Sequence, residues 1–394
     1  MFSQDPRDED FVQNPYPAYD RMRDLGGRVF WEQYGHWCFA RHDDVSVLLR
    51  DRRFGRQILH VASRQELGWP EPDPRLAPFE AMERHSLLEL EPPDHTRLRA
   101  LVTRAFVSRA VERMRPRIAA FANGLIDRFE KDQRVELIEA YATPVPVLVI
   151  TELLGVPPEK SADLLDWSHR MVAMYQFGRT WQTGESAVSA TTAFVSYLRG
   201  LVAERRRRPL DDLISSLIAA ENEGGKLTED ELISTVILLL NAGHEATVHA
   251  IANGVKALIE AGSPPITDKG LAADELLRFD APLHLFTRYV LEDLEFQGIP
   301  LKKGDKVGLL LGAANRDPER FANPNTLNVT RQPNPHVSFG AGIHFCIGAP
   351  LARAELDIAM PLLFERLPGL RLANPPKYRD TYHFHGLERL ELAW

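Results

Sequence analysis

Residues 228–262, "TEDELISTVILLLNAGHEATVHAIANGVKALIEAG", constrain the fold more than any other stretch. Thr228 and Glu231 have the spacing of a capping box, in which each side chain satisfies an N–H at the helix start, and Gly262 supplies a left-handed stop. The interval predicts a helix of about 33 residues, roughly 50 Å, long enough to cross a whole domain. Its apolar pattern breaks at the centre, where Asn241, Gly243, His244, Glu245 and Thr247 stand. A buried acid or hydroxyl without a partner costs about 1–3 kcal/mol, so polar groups there need a reason. A zinc-protease motif requires two histidines four apart on one helix face. Here His244 and His249 are five apart, which turns them roughly 140° from each other, and the required position holds Val248. Two readings stay open from this stretch by itself: a tolerant core helix, or one wall of a reaction chamber.

The chain has 394 residues, 44% of them hydrophobic, enough for a substantial core. Its formal net charge of −8 argues against a nucleic-acid binder, whose surface would be strongly basic. The start, "MFSQDPRDEDFVQNP", is too acidic and polar for a signal peptide, and apolar runs such as "TVILLL" fall far short of the ~20 residues that span a bilayer. A cytoplasmic protein with no membrane contact is expected. Helical spacing dominates 95–280 and 350–367, whereas alternating runs near 28–60, 285–312 and the C-terminus read as strands about turns. The expected fold class is therefore mainly α with a minor β portion, in a single domain over 1–394. The proline-rich stretches 68–80 and 322–340 read as ordered, irregular loops.

Only two cysteines occur, so a disulfide framework is not expected. Cys38 lies in a strand pattern and reads as a small buried hydrophobe. Cys346 does not, because "FGAGIHFCIGAPLARAEL" (339–356) surrounds it with Gly342, His344, Gly348 and the start of a helix. Glycines let the backbone fold tightly around a sulfur and approach a flat ligand, while loop N–H groups and a helix N-terminus favour a thiolate. Upstream, "DELLRFDAP" places Glu275 and Arg278 three apart on one helix face, and "EPPDHTRLR" (91–99) and "ANRDPERF" (314–321) complete an ordered set. Together these stretches resemble the cytochrome P450 family over nearly the whole chain. Phe339, Gly342, His344, Cys346 and Gly348 match its heme-binding loop, Glu275 and Arg278 its E-x-x-R pair, and residues 241–247 its oxygen-activation groove.

The resemblance implies a P450 fold with the long helix over the heme, and a monooxygenase that inserts one oxygen atom from O2 into a mostly apolar small organic substrate. It implies Cys346 as axial ligand to the iron of heme b, and His95, Arg99, Arg288 and His344 as partners of the propionates, with Phe339, Gly348 and Ala242 beside the cofactor. Gly243, with Asn241 and Ala242, would let the helix open locally for O2, and Glu245 matches the acid that relays protons. Ala246 stands where the family usually has an alcohol; Thr247, one residue on, is about 100° further round. Its hydroxyl either bonds back to the Gly243 carbonyl or joins the relay, with ordered water and the substrate as the other replacements. Leu87, Leu88, Leu239, Leu283, Leu285 and Phe384 are the implied substrate contacts, with His284 or His383 as a polar anchor. The family's third residue beside Glu275 and Arg278 is absent at the matching Thr326, so either Arg331 substitutes or the pair stands alone. Electrons from NAD(P)H are implied to arrive through an external ferredoxin and ferredoxin reductase. Arg104, Arg109, Arg113 and Arg353 form either the patch that steers such a partner or an ordinary solvated face. A monomer is expected. A peroxide-using peroxygenase and a non-catalytic heme sensor or carrier are the alternatives.

Overall fold

The capping box forms as its spacing predicts. The Glu231 carboxylate accepts the Thr228 N–H at 2.9 Å, and Thr228 Oγ1 accepts the Glu231 N–H at 3.2 Å. From there the helix runs Glu229–Glu260 and stops at Gly262, whose φ of +79° turns the chain so that the Ser263 N–H reaches back to the Leu258 carbonyl at 2.8 Å. The local opening expected around Gly243 is not found: the helix is unbroken across 241–247. Gly243 is used for close packing instead, since a Cβ there would lie 3.2 Å from the Ile150 side chain.

The computed structural model describes residues 1–106, 109–222 and 227–394. They fall into two compact units. One comprises Met1–Val61, Ile118–Val145 and Ala246–Trp394; the other comprises Ala62–Arg117 and Pro146–Glu245. Among the described residues no helix is long and apolar enough to cross a membrane.

The first unit carries the β portion. A hairpin, Arg28–Trp31 with His36–Phe39, pairs in parallel with Lys306–Leu310, which pairs antiparallel with Leu285–Val290, and Phe54–Gly55 closes the far edge. Cys38 lies opposite Gly308, where a Cβ would come within 2.6 Å of its sulfur, so glycine is required in that strand. Burial pushes the Cys38 thiol far above its ordinary range, and it is the inert hydrophobe expected. The Leu285 side chain belongs to a core with Tyr19, Trp31, Cys38 and Tyr382 and packs the sheet. His284 is fully buried, with Nδ1 2.8 Å from the Tyr19 hydroxyl, and burial holds it neutral.

Helix Lys269–Phe279 supplies the most demanding polar group of this unit, the fully buried carboxylate of Glu275. Arg278 grips it with two bonds, Nε to Oε2 at 2.7 Å and Nη2 to Oε1 at 2.8 Å. Arg331 Nε reaches Oε2 at 2.9 Å, and the Asn328 N–H donates to Oε1 at 2.8 Å. Arg331 is thus the third residue of the cluster, and Thr326 offers it only a carbonyl, at 3.2 Å. The second unit is helical, built around Asp94–Phe106, Ser161–Val172, Trp181–Arg207 and Leu213–Asn222. Its stretch 68–80, expected as loop, turns helical at Pro74–Leu76 and Ala77–Glu83, because Pro78 occupies a first-turn position that needs no N–H donor.

Removing one member of a buried ion cluster leaves charge uncompensated, at about 3–5 kcal/mol. Arg331→Ala is therefore expected to lower the unfolding free energy by about 3 kcal/mol in denaturant titration. Arg331→Lys should recover only part of it, because one ammonium cannot replace a guanidinium that also donates to the carbonyls of Ala322 and Asn323.

Candidate active site

Cys346 is exposed, unlike Cys38, and its loop is shaped by backbone that only glycine adopts readily. Gly340 and Gly342 have φ of +67° and +71°, and a Cβ on Gly342 would lie 2.5 Å from the Leu49 carbonyl oxygen. The turn brings the Cys346 N–H to the Phe339 carbonyl at 2.9 Å, and helix Ala349–Arg366 starts three residues further on. The N-terminal end of that helix favours a negative sulfur. A Cβ on Gly348 would make only ordinary contact with Cys346 Sγ, at 3.8 Å, so packing within the protein does not demand glycine there. Room beside the sulfur is what a flat group needs.

The loop is fastened from behind. Asn315 donates to Ser338 Oγ at 2.7 Å and accepts the Val337 N–H at 2.8 Å, while Ser338 Oγ donates to the Leu277 carbonyl at 2.8 Å. Arg353 lies 4.7 Å over the Phe339 ring and is bonded to Asp274 at 2.7 Å. His344 ends the short turn Gly342–His344, half-buried. Arg288 is buried, donates to the Thr287 carbonyl at 2.9 Å, and alternates onto the same strand face as Phe286. Phe286 in turn meets the loop, 3.3 Å from where a Gly340 Cβ would be. Phe286 lies one strand position from Leu285 and hence on the other sheet face.

Leu283 and Phe384 do come together, as an antiparallel bridge. The long helix holds the turn around them: Asn253 donates to the His385 carbonyl at 2.8 Å, and the His249 ring occupies the space a Cβ on Gly386 would need, 2.0 Å away. His383 stands edge-on to Phe384, and burial pushes its pKa down to about 4, so it is a neutral hydrogen-bonding group at pH 7. Ala246 is half-buried and Thr247 buried.

In the second unit, His95 and Arg99 sit one turn apart on helix Asp94–Phe106, the first buried and the second half-buried. Arg97, between them, is committed elsewhere, to the Glu231 carboxylate and to Asp94. Leu87 is buried and Leu88 is exposed. Leu239 is buried in the helix packing, whereas Leu238 is half-buried and Ala242, one turn on, is exposed. Leu238 therefore shares the open face with Ala242, about 100° from Leu239. Asn241 is buried, and its Oδ1 has no hydrogen-bond partner among the described residues. Sequence reasoning gave Asn241 only a spacing role. Glu245 is mostly buried, with the Nε2 atoms of His169 at 3.3 Å and His244 at 3.6 Å from its Oε2.

These donors suit a heme. In the first unit, an exposed thiol beside a helix start has the chemistry of a soft axial ligand, and Arg288 and His344 are donors of the kind that carboxylates require; in the second unit, His95 and Arg99 are donors of the same kind. Of the four surface arginines, Arg104 is exposed, Arg113 pairs with Asp211 at 3.0 Å and Arg353 with Asp274; the side chain of Arg109 lies outside the described residues.

Comparison with known proteins identifies the family. Residues 271–369, which include the Glu275 cluster and the Cys346 loop, match the Cytochrome P450 family model. The chain is 35% identical to the polyketide biosynthesis cytochrome P450 PksS of Bacillus subtilis, covering 98% of each chain. It is 36% identical to the cytochrome P450 monooxygenase PikC of Streptomyces venezuelae, covering 98% of this chain and 92% of that one. The crystal structure of P450BioI in complex with hexadec-9Z-enoic acid ligated acyl carrier protein superposes with a TM-score of 0.89 at 33% identity, over 98% of this chain and 100% of that one. A glycine-shaped cysteine loop, a buried Glu-Arg-Arg cluster and full-length likeness at this level have one explanation: the chain belongs to the cytochrome P450 family and is a P450 monooxygenase.

Proposed function

We propose that this chain binds heme b through Cys346 and inserts one atom of O2 into a mostly apolar organic substrate. The observation that carries the reading is the exposed Cys346 thiol on a glycine-shaped loop, set against a helix start, in a chain whose other cysteine is sealed in a strand. Bound heme with thiolate ligation supplies the activation of O2. Arg288, Arg99, His95 and His344 hold its carboxylates, and Phe339, Gly348 and Ala242 leave room for its faces. Glu245 handles protons, supported by its mostly buried carboxylate beside two imidazoles. Gly243 keeps the helix closely packed at that point. Ala246 offers no hydroxyl, so water or the substrate completes the relay, and Thr247 serves the helix.

Leu87, Leu88, Leu238, Ala242, Leu283 and Phe384 provide apolar contacts for the substrate. Asn241 and neutral His383 are its polar anchors, supported by the buried Asn241 Oδ1, which lacks a partner among the described residues and calls for a donor. Electrons come from NAD(P)H through an external ferredoxin and reductase, with Arg104 on the approach side; the enzyme works as a cytoplasmic monomer, in which all of 1–394 acts as one catalytic domain. The names of relatives, monooxygenase and hydroxylase among them, favour this over the peroxygenase and the sensor.

Turnover with ferredoxin, reductase, NADH and isotope-labelled O2 should place one labelled atom in the product. Product that forms only with added peroxide would overturn the reading. Glu245→Ala is expected to slow turnover by about 10²-fold, the usual scale for a lost proton-transfer group, while Thr247→Ala leaves the ratio of product to NADH nearly intact. A large rise in released peroxide from Thr247→Ala would instead put that hydroxyl in the relay.

A further inference from the structure

We propose that His169, His244 and Glu245 form a binding site for a zinc-class divalent transition-metal ion. All three belong to the second unit, His169 on helix Ser161–Val172 and the other two on the long helix. One ligand atom from each lies within 4.8 Å of the others. His169 Nε2 is 3.3 Å and His244 Nε2 is 3.6 Å from Glu245 Oε2. Metal–nitrogen and metal–oxygen bonds of about 2.0–2.1 Å in a tetrahedral site put neighbouring ligand atoms roughly 3.3 Å apart, so the cluster needs little movement to close on an ion.

The orientation of His244 adds an independent argument. Its Nδ1 is 2.7 Å from the Leu240 carbonyl oxygen, which can only accept, so Nδ1 carries a proton and the ring is fixed with Nε2 turned toward the Glu245 carboxylate. A carbonyl that orients the far nitrogen of a histidine is also the arrangement by which proteins fix metal-ligating imidazoles. Two imidazoles and one carboxylate suit zinc rather than magnesium or calcium, which prefer all-oxygen sites. Half of the His169 side chain is exposed, giving an ion a way in from solvent, and the buried His244 gives it a fixed floor.

Among the described residues the other such grouping, Asp280, His284 and His385 in the first unit, is explained without a metal. Asp280 accepts the hydroxyls of Tyr16 at 2.9 Å and Tyr378 at 2.6 Å, His284 faces the Tyr19 hydroxyl, and all three members are buried. An ion at the His169 site would engage Glu245 and take it out of proton handling, so Zn2+ would inhibit turnover; this consequence, unlike the site itself, rests on the role proposed above for Glu245.

The test is calorimetric titration of Zn2+ into the heme-loaded protein and into its His169→Ala variant, an exposed position whose replacement leaves the fold intact, followed by turnover at matched zinc concentrations. One ion per chain is expected in the parent, with affinity lowered at least about tenfold in the variant, the scale on which metal-site partners act. Turnover of the parent should fall as the site fills, and that of the variant should resist. Equal zinc affinity and stoichiometry in parent and variant would overturn the site. Binding that is lost in His169→Ala but leaves parent turnover unchanged would support the site and overturn the proton role of Glu245.

Discussion

Glu275 is a carboxylate taken wholly out of water, and it is tolerable because two guanidinium groups, the Asn334 amide and a backbone N–H satisfy it from two segments of chain. Such a cluster contributes little net stability, because desolvation offsets the attraction, but it penalises every arrangement in which one segment is misplaced. Its segments lead directly to the cysteine. Arg278 also bonds to the Asn315 carbonyl at 2.8 Å; the Asn315 side chain bonds to Val337 and Ser338; the Phe339 carbonyl then receives the Cys346 N–H. The position of the sulfur is thus inherited, bond by bond, from one buried acid some distance away in sequence.

The long helix imposes the second constraint. Its polar residues are neither decoration nor a zinc-protease motif. His249 and Asn253 are used to hold the turn that carries Phe384, and Gly386 exists to make room for the first of them. Gly243 brings the helix against Ile150. The buried Asn241 Oδ1 has no hydrogen-bond partner among the described residues. The Glu245 carboxylate lies beside the imidazoles of His169 and His244, at 3.3 and 3.6 Å.

Those features that depend on local order were legible in the sequence: the capping box and glycine stop of the long helix, the hairpin around Cys38, and the spacing of Gly342, His344, Cys346 and Gly348. What depends on register was not. Leu285 and Phe286 differ by one strand position and face opposite sides of the sheet, and Leu238 and Leu239 differ by one helical step and divide into open and packed faces. Partners distant in sequence were hidden too. Arg331 was one of two alternatives until the fold brought it to Glu275, and no pattern pointed to His169 as the neighbour of Glu245. The burial of His284 among tyrosines likewise belongs to the fold and not to any motif.

The claim on which the account turns is that the Cys346 sulfur is the axial ligand of the heme. The reduced-minus-carbonyl difference spectrum of the heme-loaded protein tests it most directly, because a thiolate donates far more electron density to the iron than an imidazole does and shifts the main absorption band to long wavelength. The account predicts that band in the parent protein and its loss in Cys346→Ser. The same band persisting in Cys346→Ser, or missing from a fully heme-loaded parent, would contradict it.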